Sequence, residues 1–179
     1  LKNQLILYLQ FNMENTQSSF AVLFSSFSNN EIERLEKIPQ SGGDRTYYRI
    51  YTNANTSFIA TVSNNVKEND AFIGFTQHFA TIGANVPKVL AVSENREIYI
   101  QEDAGVLSLL DVLEKEGPTD KVFELYQKSL QALAYLQIKG DRNFDYNQCI
   151  TSKEFGHQAI TSDLLYFKYY FLDTFKLYH

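Results

Sequence analysis

The chain has 179 residues, is 44% hydrophobic and 21% charged, and carries a formal net charge of -5. This balance excludes a disordered chain, which would have too few apolar and aromatic side chains to bury, and a surface built to neutralise a nucleic-acid backbone. The 14 Phe and 12 Tyr, with no Trp, predict a core rich in Phe and Tyr, and no apolar run reaches the roughly 18 residues of a membrane span.

The segment from Leu1 to Asn12 has a short apolar stretch and one lysine but no small-residue cleavage site. Met13 is the only methionine and reads as the natural start, with residues 1–12 an added or leader segment. Apolar residues at helical spacing between Ser18 and Phe27 predict a first helix, broken by Ser28-Asn29-Asn30. Glu31 to Ile38 is compatible with helix or edge strand. Pro39 to Asp44 is the strongest turn signal in the chain, with strand-forming segments on either side. Arg45 to Tyr51 and Ser57 to Val62 read as two antiparallel strands joined by the turn Thr52 to Thr56.

Lys67 to Ile82 carries Ala71, Phe72, Phe75, Phe79 and Ile82 on one helical face, and Gly83 with Pro87 stops it. Lys88 to Val92 and Glu97 to Gln101 then form a strand pair. Beyond Gly105 the pattern turns helical: a short helix over Ser108 to Leu113, a long one from Thr119 to Ile138 with Gly140 past its end, and another over residues 163–178. A β-rich part followed by a helical part is an α+β arrangement, with a boundary near Asp103 to Gly105. Cys149, the single cysteine, can form neither an internal disulfide nor a cysteine metal site, so a reducing, cytoplasmic setting is expected.

Three places can carry chemistry. Ser41-Gly42-Gly43-Asp44-Arg45 lies between two strands, where glycines let the backbone approach a phosphate and the turn amides point at it. The same residues would equally make a plain hairpin turn, and the Gly-Lys-Ser/Thr ending of a P-loop is absent. Gln101-Glu102-Asp103 ends a strand before a helix, where main-chain carbonyl and amide groups can meet an adenine edge. As a paired-carboxylate site Glu102 and Asp103 are poorly placed, because adjacent strand residues point to opposite faces. Glu68 opens a helix, as an ordinary first-turn acid does, and as the helix glutamate of a kinase lobe does. His78, His157 and His179 are scattered without metal-ligand spacing.

The run Ser41 to Ile50, then Lys67 to Phe72, Gly83 to Val89, Tyr99 to Gly105 and Ser108 to Asp111, resembles the aminoglycoside phosphotransferase and choline-kinase-like superfamily. It is most similar to a bacterial branch with kinases of cell-wall amino sugars, and Asp163 to Leu172 resembles the helix before that branch's catalytic loop. The resemblance covers about residues 35 to 178 and rests on the order and spacing of the motifs together. It implies a protein-kinase-like fold: an antiparallel-sheet N-lobe with one main helix over residues 13–102, then the beginning of a helical C-lobe over 103–179.

It further implies that Ser41, Gly42, Gly43, Asp44 and Arg45 form the loop over the nucleotide phosphates, and that Gln101, Glu102 and Asp103 form the hinge beside adenine. Glu68 would face the phosphate site. The ligands implied are ATP or GTP with Mg2+ and a small-molecule acceptor. Two departures qualify the pattern. The strand Phe58 to Ser63 has no phosphate-binding lysine, so Arg45, Arg49 or Lys67 would supply the cation; alternation places Tyr47 and Arg49 on the face opposite to Tyr48 and Ile50. The family's catalytic loop, with its base aspartate and magnesium asparagine, would follow the last helix, and Gly140-Asp141-Arg142-Asn143 lies too early with the wrong spacing. The expectation is therefore a nucleotide-binding portion of a small-molecule phosphotransferase, with no catalytic residue and no metal ligand in these 179 residues and no phosphate transfer. The rival is a non-catalytic kinase-like binding or regulatory module. The apolar face of residues 163–178 would favour self-association.

Overall fold

A computed structural model describes residues 18–39 and 43–176. The readings of residues 1–17, including the start at Met13, and the end of the last predicted helix lie outside the described residues. The structure is α+β, with an antiparallel sheet and several helices. Helix α1 covers residues 18–25 and buries Phe20 and Phe24, with Leu23 and Phe27 beside them. The spacing i, i+3, i+4, i+7 makes one apolar stripe, which explains both the helix and what it packs on.

Five strands follow: β1 (Ile32–Lys37), β2 (Thr46–Thr52), β3 (Ser57–Val62), β4 (Val89–Val92) and β5 (Ile98–Glu102). They form one sheet in the order β1-β2-β3-β5-β4, antiparallel throughout. The ambiguous segment after α1 is thus the edge strand β1. Register places Tyr48 opposite Ala60 and Ala60 opposite Ile100, and one residue earlier Tyr47 opposite Thr61 and Thr61 opposite Tyr99. Because side chains alternate along a strand, these two rows lie on opposite faces. The first face, with Ile50, Ala60 and Ile100 fully enclosed, holds α1 and the main core. Arg49 and Tyr47 belong to the other face, as the alternation predicted.

Helix α2 (Val66–Thr81) sits between β3 and β4 in the chain. Its N-cap, Asn65, accepts the Glu68 amide at 3.3 Å through Oδ1 and donates from Nδ2 to Glu68 Oε2 at 3.2 Å, so two polar groups of the first turn satisfy each other. The helix leaves through Gly83, whose φ of 77° suits a residue without a Cβ. The deeply buried residues of α2 are Asn69, Ala71, Ile73 and Thr76, while Phe72, Phe75 and Phe79 are half-buried. The apolar stripe read from the sequence is therefore rotated: a polar residue, Asn69, sits at its centre. Asn69 Nδ2 donates to Ser63 O at 3.0 Å and to Arg96 O at 2.8 Å, which ties α2 to the end of β3 and to the β4–β5 turn.

Helices α3 (Leu109–Glu116) and α4 (Asp120–Gly140) follow the sheet, capped by Ser108 and Thr119. Gly140 ends α4 from inside rather than beyond it, and the left-handed residue comes later, at Asn143 with φ 60°. A Cβ at Gly140 would lie 2.9 Å from the Phe79 ring, and its carbonyl sits 2.7 Å from His78 Nε2, so close approach to α2 is what this glycine provides. Of the apolar residues Val122, Leu125, Tyr126, Leu130, Leu133 and Leu136 along α4, only Val122 is buried.

The chain divides into two compact units, one ending at Phe144 and one starting at Asp145. The sheet's last strand ends at Glu102, and the next helix starts at Leu109. The second unit contains a 3-10 turn (Tyr146–Gln148), α5 (His157–Phe167), a π-helical turn (Lys168–Leu172) and α6 (Asp173–Lys176). Helix thus starts six residues before the predicted 163 and changes winding at Lys168. No helix among the described residues is long and apolar enough to cross a membrane.

Candidate functional site

The sheet face opposite α1 carries Arg45, Arg49, Gln101 and Asp103 of the residues singled out in the sequence. Along β2 it carries Tyr47 and Arg49, preceded at the same alternation by Arg45; β3 contributes Ile59 and Thr61; β5 contributes Tyr99 and Gln101, with Asp103 just beyond. Arg45 and Arg49 are four residues apart, so their main-chain positions stand roughly 13 Å apart along the strand direction.

At one end, α2 meets the face. Arg45 Nη2 lies 3.2 Å from Glu68 Oε1 and donates to the Glu68 main-chain oxygen at 3.2 Å. Its guanidinium lies 5.6 Å from the Phe72 ring centre, and Phe72 stacks on Tyr99 at 5.2 Å. The Asn65 cap holds the other carboxylate oxygen of Glu68, so helix capping aims this acid at Arg45. Arg45 Nε is enclosed by protein without a hydrogen-bond partner. Burial pushes the Tyr99 phenol above its ordinary range, with the nearby Thr61 hydroxyl and the Arg45 charge pulling the other way. Thr61 is near enough to Tyr99 to be felt, yet its hydroxyl makes no hydrogen bond of good geometry.

At the other end, Arg49 and Asp103 form an ion pair whose side chains are 14% and 5% exposed. Arg49 Nε donates to Asp103 Oδ2 at 2.7 Å and Nη2 to Oδ1 at 3.4 Å; Ser57 Oγ donates to Oδ2 at 2.8 Å, and the Gly105 amide to Oδ1 at 2.9 Å. Arg49 Nη2 also donates to Gly105 O at 3.1 Å. Burial alone would raise the Asp103 carboxyl, but the Gly105 amide, Arg49 and Ser57 outweigh it and hold it below the usual aspartate range. The same carboxylate raises Arg49 further. Four donors on one carboxylate make a lock between β2, β3 and the exit of β5.

Ser41 and Gly42 lie outside the described residues. Gly43, with φ 89°, and the exposed Asp44 lead into β2. Glu102 faces away from Asp103: its Oε2 accepts the Lys88 amide at 3.0 Å on the β4 side. The adjacent acids therefore serve different strands, as alternation required. Gln101 is half-buried opposite Ile59. Asn69 was missed in the sequence; the signal available was an amide side chain inside the apolar stripe of a helix.

The donor set is cationic, with Arg45 Nη2 engaged by Glu68 and Nε enclosed. It does not suit a divalent cation: Glu68 and Asp103 are each ion-paired, and no group of three His, Cys, Asp or Glu gathers among the described residues. No magnesium ligand is assigned. No family model matches the chain, and no curated protein matches it.

Proposed function

We propose that this chain is the nucleotide-binding portion of an ATP-dependent small-molecule phosphotransferase of the aminoglycoside-kinase-like family. The observation that carries the proposal is the Arg45–Glu68 ion pair, set where the helix between β3 and β4 meets one face of a five-stranded antiparallel sheet. Kinase-like proteins brace nucleotide phosphates with such a sheet cation paired to a helix glutamate. The β5 exit at Gln101 to Asp103, with the Arg49–Asp103 lock beside it, supplies main-chain groups at the edge of the same face. In this reading the sheet with α2 is the N-lobe, and α3 with α4 opens the helical C-lobe.

Thr61, uncharged on the face side of β3, favours a second reading as a binding or regulatory module that keeps the nucleotide without spending it. Both readings require nucleotide binding. Titrating the 179-residue chain with magnesium-ATP and magnesium-GTP by calorimetry is expected to show saturable one-site binding. Heat of dilution alone for both nucleotides overturns both readings. No turnover of ATP is expected with an amino sugar or an aminoglycoside as acceptor, and phosphorylated product from this chain would show that the catalytic groups lie within it.

A further inference from the structure

We propose, independently of the nucleotide reading above, that α5 and the π turn after it form a dimer interface, covered by the same helix of a second copy of this chain running antiparallel about a two-fold axis. α5 passes directly into the π turn and α6, and none of its own residues is buried. Between Leu164 and Leu172 every residue except Lys168 is a leucine, phenylalanine or tyrosine, 43–70% exposed. Phe and Tyr side chains each offer about 150–250 Å², so the five rings leave on the order of 600 Å² open to solvent. The largest apolar patch of a soluble monomer is about 300–600 Å², and one partner of a stable complex gives about 800 Å²; the rings with the three leucines are of that order.

The spacing of these side chains fits a copy of the same helix. Ile160, Leu164, Phe167 and Phe171 recur at intervals of four, three and four residues, which sets them along one side of the helix. Phe167 and Phe171 stack with ring centres 5.1 Å apart, so the π turn keeps them together. The intervals are the same in both directions. Antiparallel copies can therefore bring Ile160 level with Phe171 of the second copy and Leu164 level with its Phe167, an aliphatic residue against a ring each time. The same register brings Asp163 level with Lys168 of the second copy, so opposite charges share a level. A parallel pair would instead set Asp163 level with Asp163 and Lys168 level with Lys168. Other occupants match less well. Residues 157–172 hold no Asp, Glu, Lys or Arg besides these two, and Lys168 Nζ already donates to Asp173 at 2.8 Å. A strongly charged partner finds no complement there, and an anionic membrane attracts helices with several basic residues, in a chain that here carries -5.

The test is sedimentation equilibrium of the 179-residue chain across a wide range of concentration, beside a Leu164→Glu/Phe167→Glu variant and a Leu165→Glu variant. Wild type is expected to follow a monomer–dimer equilibrium. Leu164→Glu/Phe167→Glu, which puts carboxylates where the copies meet, is expected to weaken dimerisation at least about 100-fold, the loss of two large apolar contacts from each copy. Leu165→Glu, which points away from Phe167, should dimerise as wild type does. All three positions are exposed, so far-UV circular dichroism of both variants should superimpose on that of wild type. Direction is read by oxidation in a Cys149→Ser background, which removes the single natural thiol. Chains with Ile160→Cys mixed with chains carrying Phe171→Cys are expected to give the mixed disulfide. Chains with Ile160→Cys alone should give no linked dimer, because antiparallel copies hold these two positions about 16 Å apart in level. A dimer that survives Leu164→Glu/Phe167→Glu, or one weakened equally by Leu165→Glu, overturns the proposal, and so do linked dimers of Ile160→Cys alone. A chain that stays monomeric at every concentration also overturns it, and flotation of that monomer with phosphatidylcholine vesicles would identify a lipid surface as the occupant instead.

Discussion

Asp103 holds two chain segments 54 residues apart through one carboxylate, with Arg49 on the far side of the pair. Removing it by Asp103→Ala leaves an enclosed guanidinium without its counter-ion, and the expected cost is about 3 kcal/mol in urea unfolding at neutral pH. The pH dependence follows from the lowered carboxyl. Its contribution is fully present above the unfolded value of about 3.9 and is lost as pH falls through the lower folded value. The gap between wild type and Asp103→Ala is therefore expected to be constant from pH 7 to about 5 and to shrink below about 4. A gap that widens on acidification would contradict the assigned pairing. None of this was legible in the sequence, where Arg49 was a candidate phosphate cation and Asp103 a hinge residue. Strand alternation gave the face of Arg49, but a partner so distant in the chain is set by the pairing of β2, β3 and β5.

At the scale of elements, β2 and β3 were readable because aromatic and β-branched residues crowd both, and α2 because Asn65, Glu68 and Gly83 mark its ends. The rotation of its buried stripe was not, since it depends on two carbonyls, of Ser63 and Arg96, that only the folded sheet brings to Asn69. Gly140 was misjudged for a similar reason. Glycine after a helix usually relieves a left-handed turn, whereas here it makes room for Phe79, which also stacks on Phe144. Two effects oppose each other in Gly140→Ala. Alanine favours helix by about 1 kcal/mol, while crowding the Phe79 ring costs about 1–3 kcal/mol. Net destabilisation of about 1 kcal/mol is expected by thermal or urea unfolding, and a more stable variant would mean that the α2–α4 contact yields freely. The π turn at Lys168–Leu172 left no trace in the apolar spacing, because one widened turn alters the phase of the pattern without interrupting it.

For the whole molecule, the most enclosed apolar side chains, from Phe20 to Val122, belong to the unit that ends at Phe144. In the unit from Asp145 onward, Leu164, Tyr166, Phe167 and Tyr170 are exposed. Local stability follows buried contact, so limited proteolysis is expected to cut first between α4 and α5, within residues 141–156, and to leave a resistant fragment containing the sheet. Early cleavage inside β2, β3 or β5 would show that the sheet is not the stable part.

The strand order leaves β1 and β4 on the outside of the sheet among the described residues. An uncovered strand edge invites a strand from another molecule, and the two edges discourage it differently. β1 reads Ile-Glu-Arg-Leu-Glu-Lys, so any chain docking on it would meet charges at four of six positions; Arg34 and Glu36 already pair at 2.8 Å along that strand. β4 is only four residues long, follows Pro87, and is out of register with β5 between Val89 and Ala91. A short, irregular edge offers few aligned hydrogen bonds to an intruder. A sheet with so many aromatic residues is thereby protected from edge-to-edge pairing, and the glutamates and lysine of β1 act at that edge against aggregation.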